Sequence, residues 1–199
     1  MATARPQLIL ALLSALIPLT ETVCHGQAPA ARFLEVKEGT LPLIFTVPHG
    51  GSLKPAGLMN RRYGSLATDA QTRELAQEID QAVRARLGGA AHFVISHLHR
   101  SKMDPNRDIT EAAQDDAGAQ EAWRAFHAAC AVTTRRVTAK HGWGLLLDLH
   151  GHRHDEPNVE LGMLLSSEDL RRSDAELSRD PAFLNKTSIR SMVTQTGKP

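Results

Sequence analysis

Apolar positions fall in two rhythms along the chain. "LPLIFTV", from Leu41 to Val47, is a short apolar run that stops at Pro48, as a strand does. From Asp69 onward the rhythm changes. Leu75, Ile79, Val83 and Leu87 recur every fourth residue, and this spacing predicts an amphipathic helix with Thr68 as its cap and Gly88 and Gly89 as its stop. "HFVISHL" (His92 to Leu98) predicts a second strand, and "RSKMDPNRDITEAAQDDAG" reads as a polar loop. Gln120 to Lys140 predicts a second helix, with Trp123, Phe126, Cys130 and Val137 on or near one face and "HGWG" at its end. "LLLDLH" (Leu145 to His150) reads as a third strand covered on both faces, and "VELGMLLS" (Val159 to Ser166) as a fourth. Strands alternating with helices in this order predict an α/β fold, a three-layer sandwich around a mostly parallel sheet.

In such sheets ligands collect beyond the carboxyl ends of the strands. His49 follows the first predicted strand, Asp104 to Arg107 the second, and His150 the third. Three polar clusters from distant segments therefore converge on one edge. Asp148 and His150 alternate with leucines and point to one side, so the carboxylate can hold the outer ring nitrogen of a ligating histidine. His49, in "VPHGGS", is a second candidate ligand, with Gly50 and Gly51 allowing close backbone approach. Asp69 is a candidate third ligand at the helix start, and Glu74, a turn later, is its competitor. Two histidines and a carboxylate suit Zn2+, which lowers the pKa of water toward ~7 and polarises a carbonyl. Arg107 has the geometry for a bidentate grip on a substrate carboxylate, with Asn106 adding neutral donors. Arg100 is a second candidate for contact with a developing oxyanion. Of the remaining histidines (His97, His99, His152, His154), His152 is best placed to line the site, two residues after His150.

The bulk numbers narrow the function classes. A net charge of +1 implies no general attraction to nucleic acid or to an anionic membrane. Leu8 to Leu19 is almost wholly apolar yet too short to span a bilayer, and "APA" at Ala28 to Ala30 fits a signal peptidase site. Residues 1–30 are thus expected to be a signal peptide, residues 31–199 one domain, and the mature protein secreted or periplasmic, without stable membrane insertion. Cys130 alone then remains, so no intramolecular disulfide is expected.

Taken in order, "VPHGG", "TDAQTRELA", "HRSKMDPNR", "LLLDLHGH" and "VELGMLLS" resemble the N-formylglutamate amidohydrolase family. "DPNR" and "DLH" are more distantly similar to the pattern of zinc carboxypeptidases and aspartoacylases. The resemblance spans roughly Leu41 to Ser166. It implies a zinc-exopeptidase-like fold and a zinc-dependent hydrolase that cleaves an amide bond beside a carboxylate. On it, His49, Asp69 and His150 are the metal ligands, and Asn106 and Arg107 hold the carboxylate of a small substrate. The carboxypeptidases place their acidic ligand three residues after the first histidine, where this chain has Ser52. Relatives also carry a glutamate as general base on a late strand, and this chain ends at "SMVTQTGKP" before such a strand. A domain lacking its C-terminal portion is therefore expected, with Glu160 as the nearest substitute for the base. The alternative is a non-catalytic metal-binding protein of the same fold.

Overall fold

A computed structural model of the protein describes residues 32–152, 155, 158–188 and 190. The expected signal segment and His154 lie outside these residues. The described chain forms two compact units, one ending at Gly151 and the other starting at His152.

The first unit is α/β. Its strands are β1 (Leu34–Lys37), β2 (Leu43–Val47), β3 (His92–Ser96) and β4 (Leu145–Asp148), and its helices are α1 (Thr72–Leu87), α2 (Ile109–Ala113) and α3 (Ala117–His141). The sheet order is β1-β3-β2-β4. β2 runs parallel to both β3 and β4, while β1 pairs antiparallel with β3. The mostly parallel sheet thus agrees with the sequence reading and β1 is an addition, but β4 ends at Asp148 and is not covered on both faces as expected, since Leu146 and Leu147 are exposed. The β1 segment "LEVK" is short and polar at alternate positions, half-covered at the sheet margin, and carries too little pattern to stand out.

Alternation along β2 sends Leu43, Phe45 and Val47 to one face. There they meet Ala76, Ile79 and Val83 of α1 and Phe93 and Ile95 of β3. Ile44 alternates to the opposite face and is also buried, and α3 lies against β1, β2 and β3. Helix α1 presents Ala76, Ile79 and Val83 to the sheet, and leaves the expected Leu75 and Leu87 exposed. Small Ala76 lets the helix axis approach closely, which rotates the contact stripe off the leucines.

The start of α1 differs from expectation. Gln71, not Thr68, is its N-cap, in a left-handed conformation and without a side-chain cap bond. The Thr72 hydroxyl donates to the Asp69 carbonyl at 3.0 Å instead. The stop at Gly88 agrees, as does the end of α3 at Gly142; both glycines are left-handed. The segment read as a polar loop contains α2, capped by Asp108, and its Lys102, Met103 and Asp104 are buried. Lys102 donates to the Leu58 carbonyl at 2.6 Å, so its charge enters the interior with an acceptor.

The second unit contains a 3-10 turn at Asp169–Arg171 and two short helices, α4 (Asp174–Ser178) and α5 (Pro181–Lys186). Ser173 and Glu176 form a reciprocal capping box on α4, and Asp180 caps α5. The expected strand from Val159 to Ser166 is absent. These residues have no regular structure, Leu164 is left-handed, and Val159, Leu161 and Leu164 are exposed. An apolar run becomes a strand only when a neighbour completes its hydrogen-bond ladder, and no strand is described in this unit. Among the described residues no helix is long and apolar enough to cross a membrane.

Candidate metal centre

Because β2 and β4 are parallel neighbours, the segments that leave them start side by side. His49 lies two residues beyond β2, and His150 two residues beyond β4. The backbone N–H of Asp69 donates to the His49 carbonyl at 3.1 Å, which brings the start of the α1 region to the same place. The Gly151 N–H closes the ring by donating to Asp69 Oδ2 at 3.1 Å.

Three ligand atoms converge as a result. His49 Nδ1 and His150 Nδ1 are 3.2 Å apart, and Asp69 Oδ2 lies 3.0 Å from the second and 3.5 Å from the first. His49 is buried, Asp69 half-buried and His150 exposed. This group could hold a metal ion. Glu74, the competitor for the third position, is not part of it.

Each histidine is gripped from behind. Asp104 Oδ1 is 2.7 Å from His49 Nε2, and Asp148 Oδ2 is 2.9 Å from His150 Nε2. With Nε2–H donating to a carboxylate, Nδ1 carries the lone pair that faces the gap. Asp148 is legible from the alternation along β4; Asp104, within "DPNR", carries no local pattern that marks this role.

Both aspartates are themselves held. Asp104 is wholly buried and accepts from Arg100 Nε at 2.8 Å and from the Asn106 N–H at 3.0 Å, with Arg61 NH1 3.6 Å away. Burial would raise its carboxyl, but the hydrogen bonds from His49 and Arg100 outweigh that and hold it well below the usual carboxylate range. Asp148 accepts from the Thr46 hydroxyl of β2 at 2.5 Å and from Asn106 Nδ2 at 2.6 Å. Burial again pushes its carboxyl up, and the bonds to His150, Thr46 and Asn106 bring it lower than usual. His150 is shifted upward, chiefly by its bond to Asp148.

Helix α3 fixes the loop that supplies this support. Trp123 Nε1 donates to the Arg107 carbonyl at 3.0 Å, and His127 Nε2 lies 2.9 Å from the Pro105 carbonyl.

The remaining predicted residues divide. Arg100 reaches the centre, with NH1 3.7 Å from Asp69 Oδ1. Asn106 reaches it as well, its Nδ2 3.0 Å from His150 Nε2, but its amide is engaged with Asp148. Arg107 is half-exposed, donates to the Asn106 carbonyl and faces Glu111 at 3.3 Å. Gly50 and Gly51 pack closely against protein: a Cβ on Gly51 would lie 2.4 Å from the His97 carbonyl. His97 faces Glu35 at 3.5 Å, and His99 Nδ1 accepts from the Ser101 N–H. His152 and Glu160 belong to the second unit, where His152 Nε2 lies 2.7 Å from the Asn158 carbonyl. The strand that was to carry Glu160 is absent, so its strand-based reading as proton acceptor loses its footing.

Comparison with protein-family models, with curated proteins and with solved structures finds no match to this chain.

Proposed function

We propose that the protein is an exported, zinc-dependent hydrolase with a zinc-exopeptidase-like α/β sandwich. It cleaves an amide bond in a small carboxylate-bearing substrate such as an N-formyl or N-acyl amino acid. The observation that carries the reading is the triangle of His49 Nδ1, His150 Nδ1 and Asp69 Oδ2, with both outer ring nitrogens held by aspartates. Its edges of 3.2, 3.0 and 3.5 Å bracket the separation of roughly 3.3 Å expected between ligand atoms about 2.0–2.1 Å from a tetrahedrally bound zinc. Three protein ligands leave one position open, as catalytic zinc sites do.

When bound, zinc supplies a Lewis acid that polarises a carbonyl and makes water acidic near neutral pH. The protein's own part is orientation and charge. His49 and His150 present Nδ1 because Asp104 and Asp148 occupy Nε2. Arg100, 12 % exposed and beside Asp69, places a positive charge at the rim, where it favours negative charge developing on an amide oxygen. Arg107, 44 % exposed, offers its guanidinium to the substrate carboxylate.

One observation favours a second reading, a metal-retaining protein without turnover. Asp69, Asp104 and Asp148 are each committed to a histidine, so these three leave proton transfer to another group. The two readings part in one experiment. Purified protein is loaded with zinc, assayed for metal content, and presented with a panel of N-formyl and N-acetyl amino acids. The hydrolase reading expects about one zinc per chain, its loss in His150→Ala, and chelator-sensitive release of the acid. Full zinc without hydrolysis across the panel would establish the second reading; full zinc in His150→Ala would sink both.

A further inference from the structure

Arg61 lies in the loop between β2 and α1 and is 3 % exposed. Its Nε donates to the Glu111 carbonyl at 3.2 Å, and its NH1 to the carbonyls of Ser65 at 2.8 Å and Arg100 at 3.1 Å. The remaining nitrogen, NH2, is buried and has no hydrogen-bond partner among the described residues. A buried donor left without an acceptor is costly and calls for a reason.

One carboxylate stands close to it. Glu111 Oε1 is 3.8 Å from Arg61 NH2, beyond hydrogen-bond reach, and the same oxygen is 3.3 Å from Nε of the half-exposed Arg107. A single acid thus sits between two arginines, nearer to the exposed one. Gly64 lets Glu111 and Arg61 come close to the same point of the backbone. The backbone there is left-handed, at φ +79°, and a Cβ would come within 2.7 Å of Glu111 Oε1 and 2.8 Å of Arg61 NH2.

We propose that Glu111 is a specificity-determining residue that stands in for the substrate carboxylate. Without ligand it occupies Arg107; a carboxylate arriving at Arg107 displaces it onto the unpaired NH2 of Arg61. This rests on the reading of Arg107 as the carboxylate anchor. Arg107 then faces a negative charge in both states, and Arg61, which already faces Asp104 at 3.6 Å, gains an acceptor for NH2. The exchange also sets a threshold: a neutral ligand has nothing with which to displace Glu111, and only a well-placed carboxylate pushes it aside. The displacement costs affinity, because Glu111 prefers Arg107 while that position is open.

The test is calorimetric binding of N-acetyl-L-glutamate and its neutral analogue N-acetyl-L-glutaminamide to the metal-free protein, where no turnover competes with binding. Glu111→Gln should bind the glutamate about 2- to 5-fold more tightly than wild type, the range for loss of one competing, part-exposed ion pair. The neutral analogue should be unchanged. In the wild type the Arg61 guanidinium NMR signal should shift on addition of the glutamate, and in Glu111→Gln it should not. The exchange is overturned if Glu111→Gln binds no tighter while Arg107→Ala binds the glutamate more weakly; Arg107 then remains the anchor. If Arg107→Ala leaves the preference for glutamate over glutaminamide intact, or if the wild type has no such preference, the anchor reading fails and the exchange falls with it.

Discussion

His49 Nε2 and Asp104 Oδ1 meet at 2.7 Å in a pair whose side chains are 1 % and 0 % exposed. A charge is kept there, out of water, to hold one ring nitrogen. Arg100 and Arg61 make this tolerable by standing on the other carboxylate oxygen. Asp104→Asn keeps the shape and removes the charge. Zinc affinity should fall about 10- to 100-fold, the usual effect of losing a carboxylate behind a ligating histidine. Stability should fall by about 3–5 kcal/mol, because two arginines lose their common partner. Chelator competition and urea unfolding measure the two effects. Unchanged zinc affinity would show that Asp104 serves the loops alone.

Zinc uptake should compete with a proton on His150. Asp148 shifts this histidine upward from its ordinary 6.5, with Asp69 contributing to the same effect. A metal needs the neutral ring, so binding releases a proton wherever the free protein holds one. Affinity should therefore weaken as pH falls, beginning above pH 6.5. Isothermal titration in buffers of different ionisation heat counts the protons released. An affinity flat from pH 8 to pH 6 would remove Nδ1 of His150 from the ligand set.

With metal chelated, stability should fall on mild acidification. His92, His97 and His99 all lie below the ordinary 6.5, in each case chiefly through burial. The unfolded chain then takes up protons that the fold refuses, so stability present above pH 6.5 is lost as pH falls through the lowered values. His150, shifted upward, works the other way. His92 Nδ1 accepts from the Gly39 N–H at 3.0 Å. His92→Asn keeps an acceptor there without the titration, and should flatten the pH dependence of the thermal midpoint between pH 7.5 and 5.5. An equally steep dependence in this variant would clear His92 of the effect.

Gly51→Ala should disturb the centre without touching it. The new Cβ would press on the His97 carbonyl at 2.4 Å, a backbone group that cannot rotate away, and the loop carrying His49 must shift. A cost of about 1–3 kcal/mol is expected from such overpacking. Zinc affinity should drop with it, and both are read from unfolding curves with and without metal. A variant as stable as wild type would mean that the loop yields freely.

The parts of the centre legible in the chain were those governed by local geometry. Asp148 ends β4 and His150 follows two residues later, with Leu149 still bonded to the Thr46 carbonyl, so the alternation brings the two side chains together, and His49 follows an apolar run that is a parallel strand. Asp104 was hidden because its partner is far away in sequence and its surroundings read as a solvated loop; only the fold shows that Lys102, Met103 and Asp104 turn inward. The run from Val159 to Ser166 failed for the opposite reason. Its pattern suits a strand, but a ladder needs a neighbour, and no single sequence carries that information. Thr68 had the chemistry of a cap, yet the helix starts after Gln71, where backbone conformation decides.

Among the described residues β4 borders a single strand, and Leu146 and Leu147 on its two faces are 44 % and 37 % exposed. Two of the three converging atoms belong to segments anchored in the interior, while the third hangs from this margin. Margins open first and most often, on a local clock that runs far faster than global unfolding. When β4 lifts, His150 leaves with it, and His49 and Asp69 stay behind. Release of a bound ion should then follow the opening of this four-residue strand, and amide exchange at Leu145 to Asp148 should slow in step with occupancy.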